Sequence, residues 1–258
     1  MLARREAMKR IAAAPVAFGS LAAILANPDA ARAAASSLET VTIATASGRK
    51  ISAAWGAPAT TPAPSLVLFH QWWGLNDQVK AVAADFVARG YGALAVDLYG
   101  GKVAETPDEA KTFMQAMSQE ETLETCGAWI EWLHGREDGT GRVGTVGWCF
   151  GGGWSLNASL VRPVEATVIY YGNVERTAEE LAPLAGPVQG HFGLKDARIN
   201  EEMVADFEAA MEEAGKSLET YWYEADHAFA DPTGARYDPE AAALAWERTN
   251  AFLGANLA

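Results

Sequence analysis

Cys149 lies at the centre of Gly147-Trp-Cys-Phe-Gly151, a pentapeptide that follows a short β-branched run (Val143, Thr145, Val146). Residues 154–161 beyond it are compatible with a helix. A strand that turns sharply into a helix holds its apical side chain out for chemistry, and with Cys in place of Ser this is the G-x-S-x-G nucleophile elbow. Glycines two residues to either side suit such a turn, because a Cβ there would strike the neighbouring strand or helix. A thiol so placed can attack a carbonyl when a base, an orienting acid and oxyanion donors surround it. The plainer alternative is a Gly-rich turn whose Cys packs as a small hydrophobe.

The base must be one of four histidines: His70, His134, His191 and His227. In α/β-hydrolases the chain order is nucleophile, acid, histidine, and only His191 and His227 follow the elbow. His191 sits inside an apolar strand and suits a core role. His227 follows the last strand, in Glu224-Ala-Asp-His-Ala-Phe229, at an edge where open α/β sheets bind ligands. Asp196 follows the preceding strand and is the candidate acid, although an Asp before a helix is also a common N-cap. Asp226 is a rival, but adjacent side chains diverge. The oxyanion donors are the Phe150 N–H and one from His70-Gln-Trp-Trp-Gly74, where Trp72 is the nominee and Trp73 has a packing role as its alternative.

The elements that must position these groups follow from periodicity. Residues 39–46 alternate and turn at Ser47-Gly48 into 51–55, an N-terminal hairpin. Apolar runs at 65–70, 91–97, 165–171, 187–192 and 218–223 read as strands. Helical spacing covers 76–89, about 108–133 (interrupted or not), 201–214 and 239–253. Strands alternating with helices predict an α/β fold: a mainly parallel sheet of about seven or eight strands, helices on both faces, in one domain over residues 36–258.

The assembled motifs resemble the dienelactone hydrolase family of the α/β-hydrolase superfamily. The resemblance spans roughly residues 40–255. It rests on Phe69-His-Gln-Trp-Trp-Gly-Leu-Asn76, Asp97-Leu-Tyr99, Gly147-Trp-Cys-Phe-Gly-Gly152, Tyr170-Tyr-Gly172, Asp196 and Tyr223-Glu-Ala-Asp-His-Ala-Phe229. It implies a Cys149–His227–Asp196 triad that opens lactones or small activated esters through an acyl-thioester. It further implies oxyanion donors at Trp72 and Phe150. Trp73, Tyr99, Lys102, Trp148, Tyr171, Phe229 and Asp231 would lie around the substrate.

Two positions depart from that family. A Glu that takes the thiol proton typically precedes the oxyanion residue; here it is Gln71, and an amide is no base. Two arginines that hold a substrate carboxylate are replaced by the Gly101-Lys102 region and by Asp231; Lys102 could stand in for one, whereas Asp231 would repel an anion. These departures also motivate an alternative function: a non-catalytic or weakly active binding protein on the same fold.

Residues 1–35 read as a twin-arginine-like export signal. Arg4-Arg5 is followed by an uncharged small-residue stretch from Ile11 to Ala26, with a small-x-small site for cleavage near residues 33–35. Periplasmic or secreted location is therefore expected, without stable membrane insertion after cleavage. The stretch is short for a span and is broken by Pro15. The formal charge is −13, and cleavage after Ala33 would remove five basic and two acidic residues, leaving −16. That balance argues against nucleic acid or an anionic membrane as partner and leaves a small-molecule ester or lactone. The two cysteines, Cys126 and Cys149, are expected to stay unpaired, and no metal or cofactor is implied.

Overall fold

The computed structural model describes residues 18–258. Arg4, Arg5 and most of the small-residue stretch lie outside the described residues. The chain runs α1 (Phe18–Ala26), α2 (Pro28–Ala35), β1 (Glu39–Ala44), β2 (Lys50–Gly56), β3 (Ala63–Phe69), α3 (Asp77–Ala88) and β4 (Gly92–Val96). It continues α4 (Pro107–Gln115), α5 (Gln119–His134), β5 (Gly139–Trp148), α6 (Phe150–Val161), β6 (Ala166–Tyr170) and α7 (Ala178–Leu181). It ends β7 (Val188–Gly193), α8 (Glu201–Glu213), β8 (Leu218–Tyr223) and α9 (Pro239–Leu257).

The eight strands form one sheet in the order β1-β2-β4-β3-β5-β6-β7-β8. Only the β1–β2 and β2–β4 pairs are antiparallel; from β4 to β8 every pair is parallel. Alternation splits each central strand between two cores. Leu66 and Leu68 of β3 join α1, α2, α3 and α9 on one face, while Val67 and Phe69 join α5 and α6 on the other. A third cluster beneath α8 takes Ile169, Val188 and Phe192. The helical region expected at about 108–133, interrupted or not, is two helices, because Ser118 accepts from the Glu121 N–H and caps a fresh start.

Residues 18–35 pack on the face of the sheet that carries α3 and α9. Leu21 and Leu25, one turn apart on α1, are buried with Ala31 and Ala35 of α2 against α3 and α9. Gln78 Nε2 donates to the Leu25 carbonyl. The same apolar residues that make the stretch read as a leader supply a stripe that a groove on the sheet face can cover. Among the described residues no helix is long and apolar enough to cross a membrane.

The elbow is the tightest joint in the fold. A Cβ on Gly147 would sit 1.9 Å from the Gly151 carbonyl oxygen, and one on Gly151 would sit 2.2 Å from that of Phe69. Both contacts are with backbone, which cannot swing aside. Beneath the turn, α6 is fastened by buried hydroxyls: Ser155 Oγ donates to the Val168 carbonyl (2.9 Å) and lies 2.9 Å from Thr145 Oγ1, and Thr167 Oγ1 donates to Ser159 Oγ (2.7 Å). Gly151→Ala is predicted to cost about 3 kcal/mol or more. Gly254→Ala, at an exposed helical position with open space around it, should gain about 0.5–1 kcal/mol. Denaturant melts of the two variants check both signs; a Gly151→Ala protein as stable as wild type would contradict the packing account.

Candidate active site

Each candidate residue lies at the carboxyl end of a parallel strand. The 70–74 loop follows β3, Tyr99 follows β4, Cys149 β5, Tyr171 β6, Asp196 β7 and His227 β8. Because β3, β5, β6, β7 and β8 are consecutive neighbours, the loops converge on one edge.

Cys149 is held at φ 55°, ψ −119°, in the left-handed region that a non-glycine residue occupies only when its surroundings force it. Its N–H donates to the Tyr170 carbonyl (2.9 Å) and its carbonyl accepts from Gly152 N–H (2.9 Å), so strand and helix together fix the turn. Its Sγ lies 3.1 Å from His227 Nε2, and His227 Nδ1 lies 2.6 Å from Asp196 Oδ2. The sequence-predicted triad is brought together. Asp226 is not the partner of the imidazole; its Oδ1 accepts the His227 backbone N–H (2.7 Å).

The acid and histidine loops are laced to each other. Leu194 and Lys195 N–H groups donate to the Tyr223 (2.8 Å) and Ala225 (3.0 Å) carbonyls. Asp196 Oδ1 accepts from the backbone N–H groups of Arg198 (2.8 Å) and Ile199 (3.1 Å), while Oδ2 is left for His227. The N-cap of α8 is Asn200, so Asp196 is free of the capping role that its position allowed. Arg236 Nε donates to the His227 carbonyl (2.8 Å), a support the sequence gave no signal for.

These contacts set the charges. Burial disfavours the His227 cation, but the hydrogen bonds to Asp196 and Cys149 outweigh it and lift its pKa to about 9. Burial likewise disfavours the Asp196 carboxylate, and the bonds from His227, Ile199 and Arg198 overcome it, holding Asp196 below its ordinary value. Cys126 is fully buried in the α5 core and burial pushes its thiol proton's pKa far up, so the two cysteines are chemically unlike.

The 70–74 loop is organised by a residue whose role the sequence left unassigned. His70 is fully buried; its Nδ1–H donates to the Gln71 carbonyl and its Nε2 accepts the Leu98 N–H (3.2 Å). Burial lowers its pKa to about 4, so a neutral imidazole ties the β3 loop to the β4 loop. Asp97 shapes that second loop by accepting the N–H groups of Tyr99 (2.9 Å) and Gly101. Ala104 N–H donates to the Trp73 carbonyl (2.8 Å), and the Trp72 and Trp73 rings pack at 5.1 Å. The Phe150 N–H opens α6 and has no acceptor within the helix, as its position requires.

The Gln71 amide has a partner of its own. Its Nε2 donates to Asp231 Oδ2 (3.1 Å). Tyr171, at φ 38° and fully buried, lays its ring 5.2 Å from His227 and 5.2 Å from Phe229. Phe229 is itself fully buried and packs on Tyr223, so it braces the histidine loop from below. Trp148 stacks on Tyr170 in the core. Tyr99 packs its ring against both His70 (4.8 Å) and Phe150 (5.9 Å), and Lys102 places its Nζ 5.4 Å above the Phe113 ring. A cavity of about 710 Å³ is lined by Leu75, Tyr99, Lys102 and Phe113 among others and by none of the triad. His191 is buried among Tyr223, Gln189 and Thr249, the core role its strand suggested.

Comparison with known proteins places the family and the fold. The family described as the dienelactone hydrolase family matches residues 51–257. A carboxymethylenebutenolidase of Pseudomonas putida is 29% identical over 229 residues, 83% of this chain and 95% of the relative. Carboxymethylenebutenolidase 1 of Cupriavidus pinatubonensis is 25% identical, covering 81% and 93%. Among solved structures, a dienelactone hydrolase-like promiscuous phosphotriesterase from metagenomic libraries superposes with a TM-score of 0.77 at 20% identity, over 86% of this chain and 100% of that one, which shows the shared fold. The fold is that of the α/β-hydrolases.

The His227 bond network predicts a pH signature. A pKa raised from 6.5 to about 9 means that the stability it contributes is fully present below pH 6.5 and lost as pH rises through 9. The stability gap between wild type and His227→Ala, followed by denaturant melts, should shrink across that window. A gap constant from pH 6.5 to 9 would contradict the arrangement.

Proposed function

The chain belongs to the dienelactone hydrolase family and is a lactone or ester hydrolase, and from that premise we propose that it works through Cys149 and an acyl-thioester. The observation that supports this most directly is the unbroken chain Cys149 Sγ–His227 Nε2–Asp196 Oδ2, with links of 3.1 and 2.6 Å, on a strained elbow.

The steps follow from the positions. Cys149 Sγ and His227 Nε2 share one proton; held on His227, whose cation Asp196 stabilises, it leaves a thiolate that adds to the carbonyl carbon. The Phe150 and Trp72 N–H groups receive the oxyanion. Collapse expels the ring or alkoxy oxygen, which takes its proton from His227 and leaves a thioester on Cys149. His227 then draws a proton from water, whose oxygen attacks the thioester, and the thiol is released with the acid. Gln71, turned toward Asp231, takes no part in moving the proton, so His227 alone activates the thiol. Tyr99, Tyr171 and Trp73 wall the site, and no cofactor is needed.

The twin-arginine-like start supports export to the periplasm; N-terminal sequencing of the protein recovered from a periplasmic fraction tests this, and a full-length cytoplasmic product would contradict it. A second reading, a binding protein on the same fold, draws on the Gln71–Asp231 contact in place of a base.

Cys149→Ala should lower kcat/KM for p-nitrophenyl acetate and for a panel of lactones by about a thousandfold or more. Equal rates for the two proteins would overturn the proposal, and a thiol inert to iodoacetamide at neutral pH with a lactone bound unchanged would favour the binding protein. Gln71→Glu places a second carboxyl within hydrogen-bond reach of Asp231 and should change the Cys149 alkylation rate. Unchanged alkylation and turnover would make position 71 a bystander.

A further inference from the structure

We propose that Asp231 is a charge selector for this site: its carboxylate, fixed beside the oxyanion loop, disfavours substrates with an anionic acyl group and favours neutral or cationic ones. The inference deepens the hydrolase reading above and rests on it.

Position comes first. Asp231 Oδ2 accepts the Gln71 amide at 3.1 Å, and Gln71 immediately precedes Trp72. The charge is therefore one residue from a proposed oxyanion donor. It is also pinned. Asp231 Oδ1 accepts both the backbone N–H (3.0 Å) and the hydroxyl (2.7 Å) of Thr233, and that hydroxyl accepts in turn from Gln78 Nε2 on α3 (2.9 Å). Three neutral donors hold the carboxylate in place without cancelling it. Among the described residues no Lys or Arg pairs with Asp231. The bases on the flanking loops are committed elsewhere, Arg236 to the His227 carbonyl and Lys102 to the Phe113 face.

Reach is shown by Tyr171. Its ring packs 5.2 Å from His227 and its side chain is fully buried. Burial raises the pKa of that hydroxyl, and the charges of Asp231 and Cys149 each raise it further. One buried point beside the base thus senses both the reacting sulfur and the Asp231 carboxylate. A fixed charge felt through a partly dry site shifts the binding of a second charge by roughly tenfold or more, in a direction set by its sign. A neutral acyl group feels little of this.

The test compares three p-nitrophenyl esters of matched acyl length: butanoate, the succinate monoester, and 4-(trimethylammonio)butanoate. It uses the purified full-length enzyme at low and high salt. The expected kcat/KM order is cationic, neutral, anionic, with the anionic disadvantage shrinking as salt rises. Asp231→Asn should raise the anionic-to-neutral ratio roughly tenfold and lower the cationic-to-neutral ratio. Asp231→Ser, which keeps an acceptor for Gln71, serves if the Asn variant does not fold. Glu208→Gln, an exposed change on α8, should leave both ratios where they are and so separates a local charge from the net charge of −13. Ratios unmoved by the Asp231 substitutions, with Cys149-dependent hydrolysis of the butanoate intact, would overturn the selector and leave the hydrolase reading standing. No Cys149-dependent turnover of any ester or lactone would overturn both.

Discussion

The site depends on how closely two pieces of backbone can approach at the end of β5. Gly147 and Gly151 let the strand, the turn and the first residues of α6 touch at distances no side chain allows, and that contact holds Cys149 in a left-handed conformation. Cys149 sits at the N-cap of α6, and the Phe150 N–H is the first of the helix, so one local constraint places both the thiol and a free backbone donor. The buried hydroxyls of Thr145, Ser155, Ser159 and Thr167 then lock α6 to the sheet, so the turn does not relax.

The remaining groups are placed by sheet order rather than by sequence proximity. Asp196 lies 47 positions beyond Cys149 and His227 a further 31, yet the strands before them are neighbours, and backbone bonds between their loops set the 2.6 Å contact. The electrostatics follow from that geometry. A half-buried imidazole would ordinarily lose its proton readily; here Asp196 on one nitrogen and Cys149 on the other retain it. On the opposite side, His70 as a neutral tautomer and Asp97 as an acceptor shape the two loops that wall the site.

Much of this was legible in the chain. The elbow glycines, the order Cys149, Asp196, His227 and the alternation of strands with helices each carry a local signal with a physical cause. The 70–74 loop was legible as a candidate through its Trp-Trp-Gly run and its place after the first central strand. What escaped was of another kind. His70 precedes the elbow and sits beside a strand, so nothing in its neighbourhood distinguishes a loop-tying imidazole from a core one; only its partners, 1 and 28 positions away, do. The contact of Gln71 with Asp231 spans 160 positions and has no periodicity to betray it. The packing of residues 18–35 was not legible either: the small apolar residues of a leader are also those of a packed helix, and composition does not separate the two.

The account rests on Cys149 carrying the acyl group, and trapping that intermediate tests it most directly. His227→Ala, which removes the base for deacylation, is mixed with p-nitrophenyl acetate, quenched in acid, and examined by intact mass and peptide mapping. One added acetyl group, located on the peptide containing Cys149 and absent from Cys149→Ala, is the predicted result. An acetyl group on any other residue, or wild-type turnover that persists in Cys149→Ala with no adduct formed, would contradict it.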